Sequence, residues 1–132
     1  MNDLTPGASP LRADLSPEGV IVLRPGADGP VESDKVEALL AAVEPMLRDP
    51  GARVALDVSR VEFFGPEEIA ALLKLRDDAK RAESRFAVFG IAGVMRDIFL
   101  LGGLDVLVGA FPDEAAALRY LADLRRPGER WH

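Results

Sequence analysis

The sequence contains no cysteine, and its one histidine is the last residue, His132. The first absence removes disulfides, thiolate nucleophiles and sulfur-ligated zinc together, and it fits a reducing compartment. The second removes imidazole acid–base chemistry, Ser-His dyads and histidine metal clusters, the commonest catalytic machinery. Lysine is sparse, with only Lys35, Lys74 and Lys80, and neither G-x-G-x-x-G nor G-x-x-x-x-G-K-[ST] occurs. A phosphate-cradling loop is therefore not expected. Met1 to Pro10 is not basic and then apolar, as a targeting segment would be. No apolar run approaches the roughly 20 residues that span a bilayer. What is present is 132 residues, 48% hydrophobic and 29% charged, the composition of one ordinary globular domain. Acids outnumber bases 22 to 16, and the net charge of -6 works against phosphate backbones and anionic lipid. The expectation is a cytoplasmic protein with no nucleic-acid partner, no membrane insertion, no metal and no cofactor.

Periodicity organises the chain into an N-terminal arm over 1–10, one domain over 11–125 and a basic tail over 126–132. Leu11, Ala13 and Leu15 alternate as an edge strand, Ser16 to Gly19 turns, and Val20 to Leu23 returns as a second strand, which predicts a hairpin. Ser33 is placed to cap a helix whose apolar positions Val36, Leu39, Leu40, Val43 and Leu47 share one face. Pro45 lacks an amide donor and should bend or tighten that helix near its end. Val54 to Val58 reads as an interior strand. Gly65 then suits an N-cap, Pro66 the first helical position, and Glu67 and Glu68 the positive end of a helix dipole. That second helix carries Ile69, Leu72, Leu73 and Ala79 inward, with Asp77 and Arg81 paired outside. Phe86 to Phe89 reads as a strand, and a third helix holds Val94, Ile98 and Leu101 as its buried stripe before a Gly102-Gly103 cap. Val106 to Val108 reads as the last strand, and Pro112-Asp113-Glu114 opens a final helix bearing Ala117, Leu118, Leu121 and Leu124. Alternating short strands and amphipathic helices argue an α/β domain with a mixed, mostly parallel sheet, an N-terminal hairpin and about four helices.

Two carboxylate positions invite a catalytic reading. Glu67 and Glu68 are adjacent on a helix, hence about 100° apart, and cannot flank one bond as an acid and base. Asp57 ends an apolar strand, where α/β sites form, although an Asp there more commonly caps a neighbouring loop. No catalytic residue is assigned.

The stretch Val54 to Leu73, VALDVSRVEFFGPEEIAALL, resembles the STAS domain, the fold of bacterial anti-sigma factor antagonists and of sulfate-transporter tails. Leu56, Asp57, Val58, Ser59, Val61, Phe63, Ile69 and Leu72 fall in register on the signature L-D-[LV]-S-x-V-x-F-[IM]-D-S-S-G-[LI]-x-x-L. Val94 through Leu104 is similar to the family's later helix with its glycine-leucine ending. The resemblance covers about Leu11 to Leu124. It implies a STAS fold and a non-catalytic protein-binding regulatory role. The implied partner is an anti-sigma factor or its kinase domain, and a homo-oligomer is compatible with it.

Departure lies at the switch. In antagonists of this family the second serine of Asp-Ser-Ser-Gly is phosphorylated by the partner kinase. Here Gly65, Pro66, Glu67 and Glu68 stand at those four positions, and no Ser or Thr occurs from Val61 through Glu83. Glu67 occupies the acceptor position and supplies about one negative charge against roughly 1.5 to 2 for phosphoserine. It is either a partial mimic or a neutral replacement within a good helix start. The expected partner-binding residues are Gly65, Pro66, Glu67, Glu68 and Lys74. The alternative function is a STAS scaffold subunit of a larger signalling or transporter complex. A phospho-accepting receiver domain, with Asp57 as acceptor, lacks its late lysine, since none lies beyond Lys80.

Overall fold

A computed structural model describes residues 11–26 and 29–123. The expected arm over 1–10, the tail over 126–132 and Leu124 lie outside the described residues. Strands β1 (Leu11–Leu15) and β2 (Ile21–Pro25) form the antiparallel hairpin, with Leu11 opposite Pro25 and Leu15 opposite Ile21. Its turn is closed by Gly19 N–H donating to Ser16 O and by Ser16 Oγ accepting from Val20 N–H. Strands β3 (Arg53–Asp57), β4 (Arg85–Phe89) and β5 (Ala110–Phe111) then add in parallel, so the spatial order is β1-β2-β3-β4-β5. This is the mixed, mostly parallel α/β sheet expected.

Helices α1 (Ser33–Val43), α2 (Pro66–Ala82), α3 (Gly93–Leu101), α4 (Leu104–Val108) and α5 (Glu114–Ala122) complete the chain. Strands β3 and β4 are buried on both faces, which explains their continuous apolar runs. Val54, Leu56, Phe86 and Val88 join α1, α2, Met95, Phe99 and Val108 in the larger core. The other face carries the smaller Ala55 and Ala87, beside Val22 and Phe89, against Ala117 and Leu121 of α5. Two alanines in the middle of this face leave room for one helix to lie close.

Several local expectations change. Helix α1 begins at Ser33, with Glu32 in the cap position, so Ser33 is the first helical residue and not the N-cap. Pro45 does tighten the end: Glu44–Leu47 is a 3-10 turn. Arg81 pairs with Asp78, one residue closer than the expected Asp77, which instead lies 3.3 Å from Arg76 Nε. Val106 to Val108 belongs to α4 and not to a strand. Gly103 and Gly109, both at positive φ (71° and 78°), bracket this extra short helix and return the chain to the sheet only at Ala110. Helix α3 is turned over relative to expectation. Met95 and Phe99 are its buried residues, while Val94 and Leu101 are 73% and 90% exposed and Ile98 is exposed beside them. Phe99 reaches Phe64 edge-on, with ring centroids 5.8 Å apart, and joins Met95 in the larger core.

Candidate functional site

The start of α2 is built from the backbone outward. Strand β3 ends at Asp57, whose Oδ1 accepts from Ser59 N–H at 2.9 Å and turns the chain away from the sheet. Val58 N–H then donates to Phe89 O and Val61 N–H to Val58 O, so the connection is held at its root. Gly90 closes against it from the β4 side at φ 95°. A Cβ on Gly90 would stand 2.9 Å from Ser59 Cβ and 3.1 Å from its backbone. Phe64 anchors the far end in the core, leaving Phe63 exposed.

Gly65 is extended (φ -78°, ψ 178°) as an N-cap, and Pro66 takes the first helical position. Glu68 reaches back so that its Oε1 accepts from Gly65 N–H at 2.8 Å. That is half of a capping box, and the G-x-x-E spacing was available as a signal in the sequence. The two adjacent glutamates therefore separate. Glu68 is half-buried and engaged with its own helix start, whereas Glu67 is exposed and has no hydrogen-bond or ion-pair partner among the described residues. Lys74, seven residues on and so on nearly the same helical stripe as Glu67, donates to Asp78 Oδ2 at 2.9 Å. That hydrogen bond, outweighing burial and reinforced by Arg81, holds the Asp78 carboxyl below the ordinary carboxylate range. The structure thus places Gly65, Pro66, Glu67 and Glu68 together at one helix end and Lys74 two turns along the exposed side.

A second polar group lies on the α5 face and was not anticipated. Arg24 donates through Nη2 to both carboxylate oxygens of Glu114 at 2.9 and 3.0 Å, and through Nε to Asp14 at 3.4 Å. Its Nη1 stands 3.6 Å from Asp57 Oδ2. Burial opposes the guanidinium charge, but Glu114, Asp14 and Asp57 more than offset it and raise its proton affinity above the usual arginine value. The cluster fastens the start of α5 to β2 and β3. It also accounts for Asp57, whose two oxygens serve a turn and an ion pair. No sequence pattern announces this cluster, because its members are brought together only by the sheet register. Among the described residues, no group of His, Cys, Asp and Glu is arranged to hold a metal ion. No described helix is long and apolar enough to cross a membrane.

Residues 22–109, about two thirds of the chain, match the family model described as Mlab, STAS domain. No curated protein sequence matches the chain. Among solved structures, an anti-sigma-factor antagonist (STAS) domain protein from Planctomyces limnophilus superposes with a TM-score of 0.68 at 20% identity, over 86% of this chain and 98% of that one. An anti-sigma factor antagonist from Mycobacterium paratuberculosis gives 0.66 at 23% identity, over 86% and 93%. The Bacillus cell fate determinant SpoIIAA in its phosphorylated form gives 0.54 at 15% identity, over 83% and 97%. At these identities the superpositions establish a shared fold.

Proposed function

Because the chain belongs to the STAS domain family, as the match over residues 22–109 shows, we propose that it is a non-catalytic, protein-binding regulatory module of the anti-sigma antagonist kind, acting in the cytoplasm. Its partner surface includes Gly65, Pro66, Glu67, Glu68 and Lys74, and its binding is not switched by phosphorylation at the start of α2. The observation that carries the reading is the chemistry of that start. The position where an antagonist of the resembling kind carries its acceptor serine holds Glu67, exposed and free of intramolecular partners among the described residues, on a helix end held by Pro66 and Glu68. A carboxylate so placed offers a fixed negative charge to a basic partner surface and offers no hydroxyl to a kinase.

The reading is tested with an anti-sigma factor or its kinase domain as the binding partner. Incubation with the kinase and ATP, followed by phosphopeptide mapping, should leave the segment 61–83 unmodified. Glu67→Lys should weaken binding at least about tenfold by calorimetry without altering the melting midpoint. Equal affinity of the variant would move the interface elsewhere. Glu67→Ser, and replacement of Gly65 to Glu68 by Asp-Ser-Ser-Gly, distinguish the roles of the glutamate. Gained affinity together with phosphorylation identifies Glu67 as a mimic of the weak-binding state. The second reading, a constitutive scaffold subunit of a larger signalling or transporter complex, is favoured by the closed cap at Gly65, which fixes this turn in one arrangement. It becomes the better account if neither variant gains affinity or phosphate while the wild type binds another partner tightly.

A further inference from the structure

The exposed side of α3 and α4 is apolar to an extent that ordinary surfaces are not. Val94, Ile98 and Leu101 line one stripe of α3, and α4, which packs directly against α3, exposes Val106 (82%) and Leu107. Single exposed aliphatic residues require no explanation, but five on two touching helices mark a surface that another molecule covers. The charges within this group share one sign. Asp97 stands one turn from both Val94 and Leu101, and Asp105 lies at the start of α4. The one base on these helices, Arg96, is about 200° around α3 from Val94, on the opposite side.

We infer that this face docks a protein segment that presents an apolar strip flanked by lysine or arginine, such as one side of a basic amphipathic helix. The inference rests on the reading of the chain as a partner-binding module and adds to it a second, apolar contact face. Charge selects this occupant over two others. In a two-fold contact with a second copy the face would meet itself, bringing Asp97 and Asp105 against the same residues in molecules that each carry a net charge of -6. An anionic lipid surface meets the same repulsion. A basic segment instead gains pairing at both aspartates while covering the aliphatic side chains, the usual arrangement of an apolar interface centre with a polar rim.

The probe is a synthetic amphipathic helical peptide of leucine and lysine, titrated into the full chain and followed by amide chemical shifts. Two control peptides replace every lysine by glutamate or every leucine by serine. The leucine–lysine peptide should shift amides concentrated in residues 94–107. Its affinity should exceed that of both controls at least about tenfold, and it should lose about tenfold or more on Leu101→Glu or Val94→Glu. Both sites are exposed, so the melting midpoint of each variant should stay at the wild-type value. Shifts centred elsewhere, equal binding of the glutamate peptide, or no binding up to about 1 mM would overturn the inference. So would a self-association in sedimentation that Leu101→Glu dissolves, or binding to phosphatidylglycerol vesicles that it abolishes, since these assign the face to a second copy or to a membrane. Glu67→Lys is titrated in parallel and against the kinase-type partner. Loss of peptide binding on Leu101→Glu but not on Glu67→Lys supports the α3–α4 face independently of the start of α2. Partner binding that depends on Glu67 and ignores Leu101 sinks this inference and leaves the proposed function standing.

Discussion

Helices α2 and α3 leave the same edge of the sheet, after β3 and β4, yet they dispose of their apolar residues in opposite ways. Helix α2 buries Leu72, Leu75 and Ala79 and turns Glu67, Lys74, Asp77 and Arg81 outward. Helix α3 buries Met95 and Phe99 and exposes Val94, Ile98 and Leu101. A fully buried aliphatic side chain contributes roughly 1.5 to 3 kcal/mol, so leaving three of them in water forgoes a sizeable part of what the core could gain. In α2 one arrangement satisfies both core and surface. In α3 two apolar stripes compete, and the one bearing Met95 and Phe99 faces in, where Phe99 packs edge-on against Phe64 within the larger core. The difference teaches that an apolar stripe identifies a face to be covered, not the partner that covers it.

The comparison breaks most visibly if the two stripes of α3 are interchangeable. Phe99→Ala should cost about 3 to 5 kcal/mol in urea denaturation, whereas Leu101→Ala should stay within about 0.5 kcal/mol of wild type. Equal costs would mean that the two stripes are covered alike, and a reversed order that α3 sits the other way round. The junction between the two helices comes next. Gly90→Ala places a Cβ against Ser59 at positive φ, combining a backbone penalty of about 1 to 2 kcal/mol with overpacking of similar size. A loss of about 2 to 4 kcal/mol is expected, and an unchanged melting midpoint would show that the β3 and β4 connections do not bear on each other.

Smaller effects sharpen the account of α2. Glu68→Ala removes the acceptor for Gly65 N–H and should cost about 1 kcal/mol, while Glu67→Ala loses only its interaction with the helix dipole, about 0.3 to 1 kcal/mol. If thermal melts rank them the other way, Glu67 and not Glu68 closes the cap. The smallest effect is that of pH. The hydrogen bond from Lys74 holds the Asp78 carboxyl below its ordinary value, so its contribution is complete above the unfolded value near pH 4 and is lost as pH falls through the lowered folded value. Lys74 and Arg81 are largely exposed, so each pair contributes only about 0.3 to 0.5 kcal/mol. Asp78→Asn should therefore be less stable than wild type at pH 6, and the two urea midpoints should converge toward pH 2. A gap that persists in acid would trace the loss to packing instead of charge.

Sequence alone determined the class of the fold and the frame of the candidate site. The hairpin, the interior strands and the α2 start are local features: alternation, short doubly buried apolar runs, and the Gly65-Pro66 entry each reflect backbone geometry that the neighbouring residues dictate. The absence of a hydroxyl from 61–83 is likewise a property of the chain itself. Tertiary structure alone decided which stripe of α3 is buried, because both stripes satisfy helical spacing and only packing of Met95 and Phe99 against distant core residues, Phe64 among them, discriminates between them. It also decided that Val106 to Val108 coil instead of pairing with β4, since three aliphatic residues fit either state until the positive-φ glycines at 103 and 109 are placed. The meeting of Arg24 with Asp14, Asp57 and Glu114, residues up to 90 positions from it, is not a local pattern; it follows from the register of β1, β2 and β3 and the docking of α5.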